Sequence, residues 1–189
     1  MNIIKTELDG VLVIEPKVFG DARGYFFESW NENAYREAGI TGHWVQDNES
    51  KSGYGVLRGL HYQAAPYTQA KLVRVISGKV LDATVDIRRG SPTFGKYVMV
   101  ELSGENKRQL YIPRGFAHGF VVVSDEVLFA YKCDNRYMPS HERGIAFDDP
   151  AIGIDWRVPA DRLLLSPKDA ARPKLSEAEL FDFSTREYL

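Results

Sequence analysis

The stretch Val80-Leu-Asp-Ala-Thr-Val-Asp-Ile87 alternates apolar and polar side chains with the two-residue repeat of a β-strand. It sets Leu81, Ala83, Val85 and Ile87 on one face and Asp82, Thr84 and Asp86 on the other. The polar face has two readings. Either it is solvated, as in any half-buried strand, or it looks into a barrel whose polar interior binds a ligand. Runs rich in β-branched and aromatic residues lie on both sides, at residues 11–14, 25–30, 43–46, 56–62, 72–76, 97–102, 109–112, 119–123 and 127–133, separated by Gly, Pro, Asn and Ser. About ten short strands at this spacing predict a barrel or sandwich. Two helices are expected beside it. Asn31 caps residues 32–38 with Gly39 as the stop, and Ser176 with Glu179 forms a capping box ahead of Leu180. No repeat or linker divides the 189 residues, so a single domain is expected, with an irregular C-terminal region over residues 139–189.

Hydrophobic residues at 44% and charged residues at 26% are ordinary for a soluble domain and disfavour disorder, collagen and coiled coil. A net charge of −2 gives no overall basic field for nucleic acid or an anionic membrane, so an anionic ligand must be held by a few local Arg and Lys residues. The single cysteine, Cys133, follows an apolar run and reads as a buried, inert thiol in a reducing compartment. Glu7 and Asp9 stand where a secretory leader needs a basic start and a long apolar stretch, and no apolar run is long enough to span a bilayer. The expected location is the cytoplasm, with no nucleic-acid or membrane partner.

The chain has four histidines. His61 lies in Leu57-Arg-Gly-Leu-His-Tyr-Gln63, and a lone strand histidine is either a hydrogen-bonded structural residue or a base. In an ideal strand Arg58 and His61 point to opposite faces, so both reach one cavity only if Gly59 marks a bulge or bend. His118 lies in Tyr111-Ile-Pro-Arg-Gly-Phe-Ala-His-Gly-Phe120, whose Pro-x-Gly-x-x-His spacing resembles the second half of the cupin signature, in which the histidine faces into the barrel. The first half of a metal-binding cupin signature has a His-x-His pair and a following Glu, and His-Tyr-Gln at 61–63 lacks both. Two histidines without spaced carboxylates make a poor metal site, so no metal is expected.

The runs Phe19-Gly-Asp-Ala-Arg-Gly-Tyr-Phe-Phe-Glu28, Gln46-Asp-Asn48, Leu57 to Gln63, Asp86-Ile-Arg-Arg-Gly-Ser-Pro-Thr-Phe-Gly-Lys96, Tyr111 to Phe120 and Leu165-Ser-Pro-Lys-Asp169 are similar to those of the dTDP-4-dehydrorhamnose 3,5-epimerases. They occur in that family's order and cover nearly the whole chain. The resemblance implies an all-β, cupin-type jelly-roll barrel with short peripheral helices, a homodimer whose N-terminal strands cross to the partner, and no metal or organic cofactor. It also implies inversion of carbons 3 and 5 of a dTDP-linked 4-keto-6-deoxyhexose, a step in dTDP-rhamnose synthesis for surface carbohydrate. A single-carbon epimerase, a 4-keto sugar isomerase, a non-catalytic sugar-binding cupin and a metal-dependent cupin oxygenase are the alternatives.

Carried onto this sequence, the resemblance makes His61 the general base with Asp169 as its orienting carboxylate, and Tyr131 the general acid. Lys71 and His118 fall near the ketone oxygen, with Asp82 supporting His118. Arg23, Glu28, Gln46, Asn48, Arg58, Glu142 and Lys168 match positions lining the nucleotide-sugar site, and Tyr137 the position that stacks on thymine. Each has a plainer reading. Tyr131 can be a barrel-wall aromatic, Lys71 a snorkelling strand-edge charge, Asp169 a helix or turn cap and Arg23 one half of a surface ion pair.

Overall fold

The alternating stretches form antiparallel strands, as a computed structural model covering residues 1–189 describes. The first part of the chain runs β1 (Asn2–Lys5), β2 (Leu12–Glu15), β3 (Phe19–Asp21), β4 (Gly24–Phe26), α1 (Glu32–Glu37), β5 (Gln46–Gly53), β6 (Leu57–Gln63) and β7 (Lys71–Ser77). It continues with β8 (Lys79–Asp86), β9 (Arg88–Arg89), β10 (Tyr97–Ser103), β11 (Gln109–Ile112), β12 (Phe116–Val122) and β13 (Glu126–Cys133). The last part holds β14 (Glu142–Gly144), the one-turn α2 (Pro167–Ala170) and β15 (Phe181–Asp182).

Two sheets face each other, one ordered β1-β2-β11-β7-β13-β5 and the other β10-β8-β12-β6-β14, in the jelly-roll arrangement expected of the cupin barrel. Val73, Val75 and Phe129 of the first sheet meet Val80, Phe120 and Val122 of the second in one apolar cluster. Burying each such side chain contributes about 1.5–3 kcal/mol, so this cluster holds the sheets together, and its Phe120 and Phe129 also border the hollow between them.

Strand β8 resolves the two readings of its polar face. Leu81, Ala83, Val85 and Ile87 point outward, where Ile152, Trp156, Leu175, Phe181 and Tyr188 of the C-terminal region cover them. Asp82, Thr84 and Asp86 point into the barrel and are 0% exposed, so the solvated reading is wrong. The C-terminal region excludes water from the outer face of the sheet, and the facing sheet covers the inner one. Asp86 is taken up by Arg88 at 2.8 Å and by Ser91 and Thr93 at 2.6 Å each, fastening the turn after β8. Asp82 is left facing the interior.

Helix α1 forms as expected, with the Asn31 side chain accepting from the Ala34 N–H and Gly39 at φ +84 ending it. Three local expectations fail. Of residues 25–30 only Tyr25 and Phe26 are strand, the end of β4, because the chain leaves to cap α1. Residues 43–46 are a loop up to Gln46, where β5 begins and pairs along β13. The Ser176 capping box produces a turn, in which the Glu177 and Ala178 N–H groups both donate to the Lys174 carbonyl. Phe181 is drawn into parallel pairing with Arg88 too soon afterwards for a helix to propagate.

Candidate active site

Gly59 does what the Arg58/His61 spacing demands. His61 pairs with His118, and Arg58 with Phe120, so three steps on β6 oppose two on β12. Gly59 sits at φ +138, and a Cβ there would lie 2.5 Å from the Gly119 Cα. A Cβ on Gly119 would lie 2.8 Å from the Arg58 carbonyl, so both strands need glycine at the crossing. The Gly59–Leu60 peptide is cis. Past the bulge, Arg58 and His61 line the same hollow.

That hollow, of about 260 Å3, adjoins a second of about 290 Å3, and the two share Asn48, His61, Lys71 and Tyr131. His61 and His118 come from one sheet, Lys71, Tyr131 and Asn48 from the other. The His61 Nε2 lies 2.5 Å from the Asp169 Oδ1. A carboxylate only accepts, so Nε2 carries the proton and Nδ1 keeps the lone pair a base requires. Asp169 is buried in α2, where its N–H donates to the Ser166 hydroxyl at 3.1 Å. Burial works to raise its carboxyl, but the His61 hydrogen bond and charge, Ser166 and Arg172 outweigh that and hold it below the usual range. Asp169 is thus both a helix residue and the partner of His61.

The His118 Nε2 is 2.9 Å from the Asp82 Oδ2, and burial pushes Asp82 up and His118 down. Burial also lowers Lys71, against the upward pull of Cys133, Asp82 and Glu142. It raises Tyr131, so that phenol keeps its proton throughout the neutral range. Cys133 is buried and its thiol is pushed up to about 11, as an inert thiol should be.

Nearer the mouth, Glu142 collects three donors: Lys168 Nζ at 2.6 Å, the Tyr137 hydroxyl and the Arg172 guanidinium. Burial would raise it, yet those hydrogen bonds bring it down to about 2. Gln46 accepts from the Tyr137 N–H at 3.0 Å and donates to Asn48 at 2.9 Å. Arg58 is aimed by the Ser52 hydroxyl, 3.0 Å from Nη2. No three His, Cys, Asp or Glu side chains meet in a way that could hold a metal ion.

Arg23 and Glu28 are not part of this cavity. Arg23 stands on the β3–β4 hairpin with its side chain 90% exposed and pairs with Asp21 at 2.5 Å, while Glu28 accepts from Asn31 at 3.2 Å. Phe19, Tyr25 and Phe26 are exposed on the same hairpin. Sequence reasoning also passed over Ser52, Ser166 and Arg172. The Ser-Pro-x-Asp start of α2 carried a readable signal for Ser166, a capping residue followed by proline at the first helical position.

The model of the family described as dTDP-4-dehydrorhamnose 3,5-epimerase matches residues 5–177. A dTDP-4-dehydrorhamnose 3,5-epimerase of Shigella flexneri is 57% identical over 182 residues, 96% of this chain and 99% of that one. The crystal structure of a dTDP-6-deoxy-D-glucose-3,5-epimerase from Legionella pneumophila, in complex with dTDP-4-keto-L-rhamnose, superposes with a TM-score of 0.93 at 53% identity, covering 96% and 98% of the two chains. An epimerase structure from Mycobacterium tuberculosis also gives a TM-score of 0.93, at 37% identity and 98% and 96% coverage. A matching model over most of the chain, more than half its residues in common with a full-length relative, and the same barrel lead to one conclusion: the chain belongs to the dTDP-4-dehydrorhamnose 3,5-epimerase family.

Proposed function

We propose that His61 and Tyr131 are the base and the acid with which this epimerase inverts carbons 3 and 5 of dTDP-4-dehydro-6-deoxy-D-glucose, giving dTDP-4-dehydro-L-rhamnose. The observation that carries the assignment is their placement on opposite sheets across one cavity, with the His61 Nε2 held by Asp169. The hydrogens on carbons 3 and 5 both flank the ketone, so removing either leaves an enolate whose charge sits mainly on one oxygen. A neutral imidazole suits the abstraction. Inversion then requires a proton from the other face of the ring, from a group that is still protonated at neutral pH, and a tyrosine raised by burial meets that need. Lys71 and His118 are assigned to the oxygen, where loss of one positioned donor costs about 3 kcal/mol of transition-state stabilisation. No step calls for a metal or organic cofactor.

Arg58, Gln46, Asn48, Tyr137, Glu142 and Lys168 are assigned to the nucleotide end. Arginine gives forked, charge-assisted hydrogen bonds to phosphate oxygens, and Ser52 already aims Arg58. Holding the nucleotide keeps the sugar in reactive geometry beneath the base. Proton NMR in deuterated water on protein dialysed against a strong chelator tests the reading. Deuterium is expected at both carbons with the L-configured product forming at an undiminished rate. Labelling at one carbon only would make the chain a single-site epimerase, and loss of rate restored by zinc, iron or nickel would make it a metal enzyme.

The active unit is proposed to be a homodimer of one-domain chains in the cytoplasm, where the free Cys133 fits a reducing compartment. Arg23 and Glu28 lie outside their own cavity on or beside a hairpin with exposed aromatic rings, which supports delivery of both to the partner's site. Mixed Arg23→Ala and His61→Asn subunits are then expected to recover about a quarter of wild-type activity at low substrate, because half the dimers hold one intact site of two. No recovery after subunit exchange would place Arg23 with its own protomer.

A further inference from the structure

Arg172 belongs to none of the roles assigned above, yet its side chain is only 11% exposed and lies between two carboxylates of the site. Its Nη2 donates to the Glu142 Oε1, and its Nε stands 3.9 Å from the Asp169 Oδ1, the same oxygen that His61 touches. That Nε is buried with no hydrogen-bond partner of its own. The side chain is laid flat across Gly144, which pairs with His61 in the β14–β6 register. A Cβ on Gly144 would fall 2.6 Å from the Arg172 Nε and 2.8 Å from its Cδ. The missing side chain at 144 is therefore what lets the guanidinium lie against the strand that pairs with the base.

We infer that Arg172 is a positioning residue for the epimerisation, clamping Asp169 against His61 and Glu142 against the nucleotide end. The inference rests on His61 being the base. The imidazole faces Asp169 and Arg172 from the α2 side, Glu142 from β14, Lys71 from β7, His118 from β12, Tyr131 from β13 and Arg58 from its own strand. Of the cations among these, Arg172 is the one that also contacts the carboxylate holding His61. A positive charge there opposes imidazolium, so removing it makes the protonated, inactive base easier to hold. The acid limb of the kcat/KM profile then moves to higher pH.

The experiment measures kcat/KM against pH for wild type, Arg172→Met, Arg172→Gln and Arg172→Lys, with His61→Asn as reference. Arg172→Met is expected to move the acid limb up by about one pH unit and to lower kcat about tenfold at neutral pH. Arg172→Gln keeps a donor for Glu142 but not the charge, so it is expected to shift the limb equally and serves if the Met variant does not fold. Arg172→Lys is expected to return the limb to its wild-type position while leaving kcat depressed, because lysine restores charge without the fork. An unmoved limb in both neutral variants, or a Lys variant displaced as far as Gln, overturns the inference. His61→Asn separates the two levels: if it retains more than about a tenth of wild-type activity, the base assignment fails first.

Discussion

His61→Asn is expected to lower both epimerisation and solvent exchange at carbons 3 and 5 by about 10³-fold or more, in the upper part of the range for a positioned general base. Asparagine places its amide where imidazole has Nδ1, short of the Nε2 that donates to Asp169, so that carboxylate is left facing Arg172, and retained nucleotide binding reports that the fold survives. What is lost is the lone pair. Arg58, Gln46 and Glu142 are untouched, so dTDP is expected to bind within a few-fold of wild type. Two measurements check this: deuterium uptake by NMR and calorimetric titration with dTDP. More than about a tenth of the rate left in the variant would remove His61 from the base role.

Tyr131→Phe is expected to separate the two proton transfers that His61→Asn removes together. The ring packs against Phe129 in the apolar cluster, and phenylalanine retains that contact while deleting only the hydroxyl. Abstraction by His61 does not use the hydroxyl. Hydrogens beside the ketone should therefore still exchange with deuterium, because the base can return a deuteron to the face it came from. Formation of the L-configured product should fall by about 10² or more. Should exchange and inversion fall in equal proportion, Tyr131 would be serving the first proton transfer or substrate placement, and the acid would have to be sought elsewhere on the six-stranded sheet.

The barrel was legible wherever a strand's side chains meet other apolar side chains, and β8, β11 and β13 follow the β-branched and aromatic runs closely. Strand β5 was not. Gln46-Asp-Asn-Glu-Ser-Lys-Ser-Gly53 contains no residue favoured in strands, because its inward row of Gln46, Asn48, Ser50 and Ser52 forms a cavity wall and its outward row is exposed. Function has overwritten propensity there. Gly59 was legible as a bulge because Arg58 and His61 make little sense together without one. Asp169 was reachable only through the resemblance, since nothing in the irregular tail shows which strand it will meet. Arg172 was invisible for the same reason. Its place depends on a glycine, Gly144, whose importance lies in the side chain it lacks.

The carboxylate that orients His61 lies 108 residues downstream of it. During synthesis, every strand of both sheets can be complete once residue 144 has emerged, with the imidazole already bulged into the barrel. At that moment no partner has chosen between its two nitrogens. The choice waits for α2 to emerge and dock, when Asp169 reaches His61 and the rest of the tail seals the outside of β8. Competence to move protons is thus acquired late, by a separate event from strand pairing. A growing chain can hold a nearly finished barrel on the ribosome while still chemically silent.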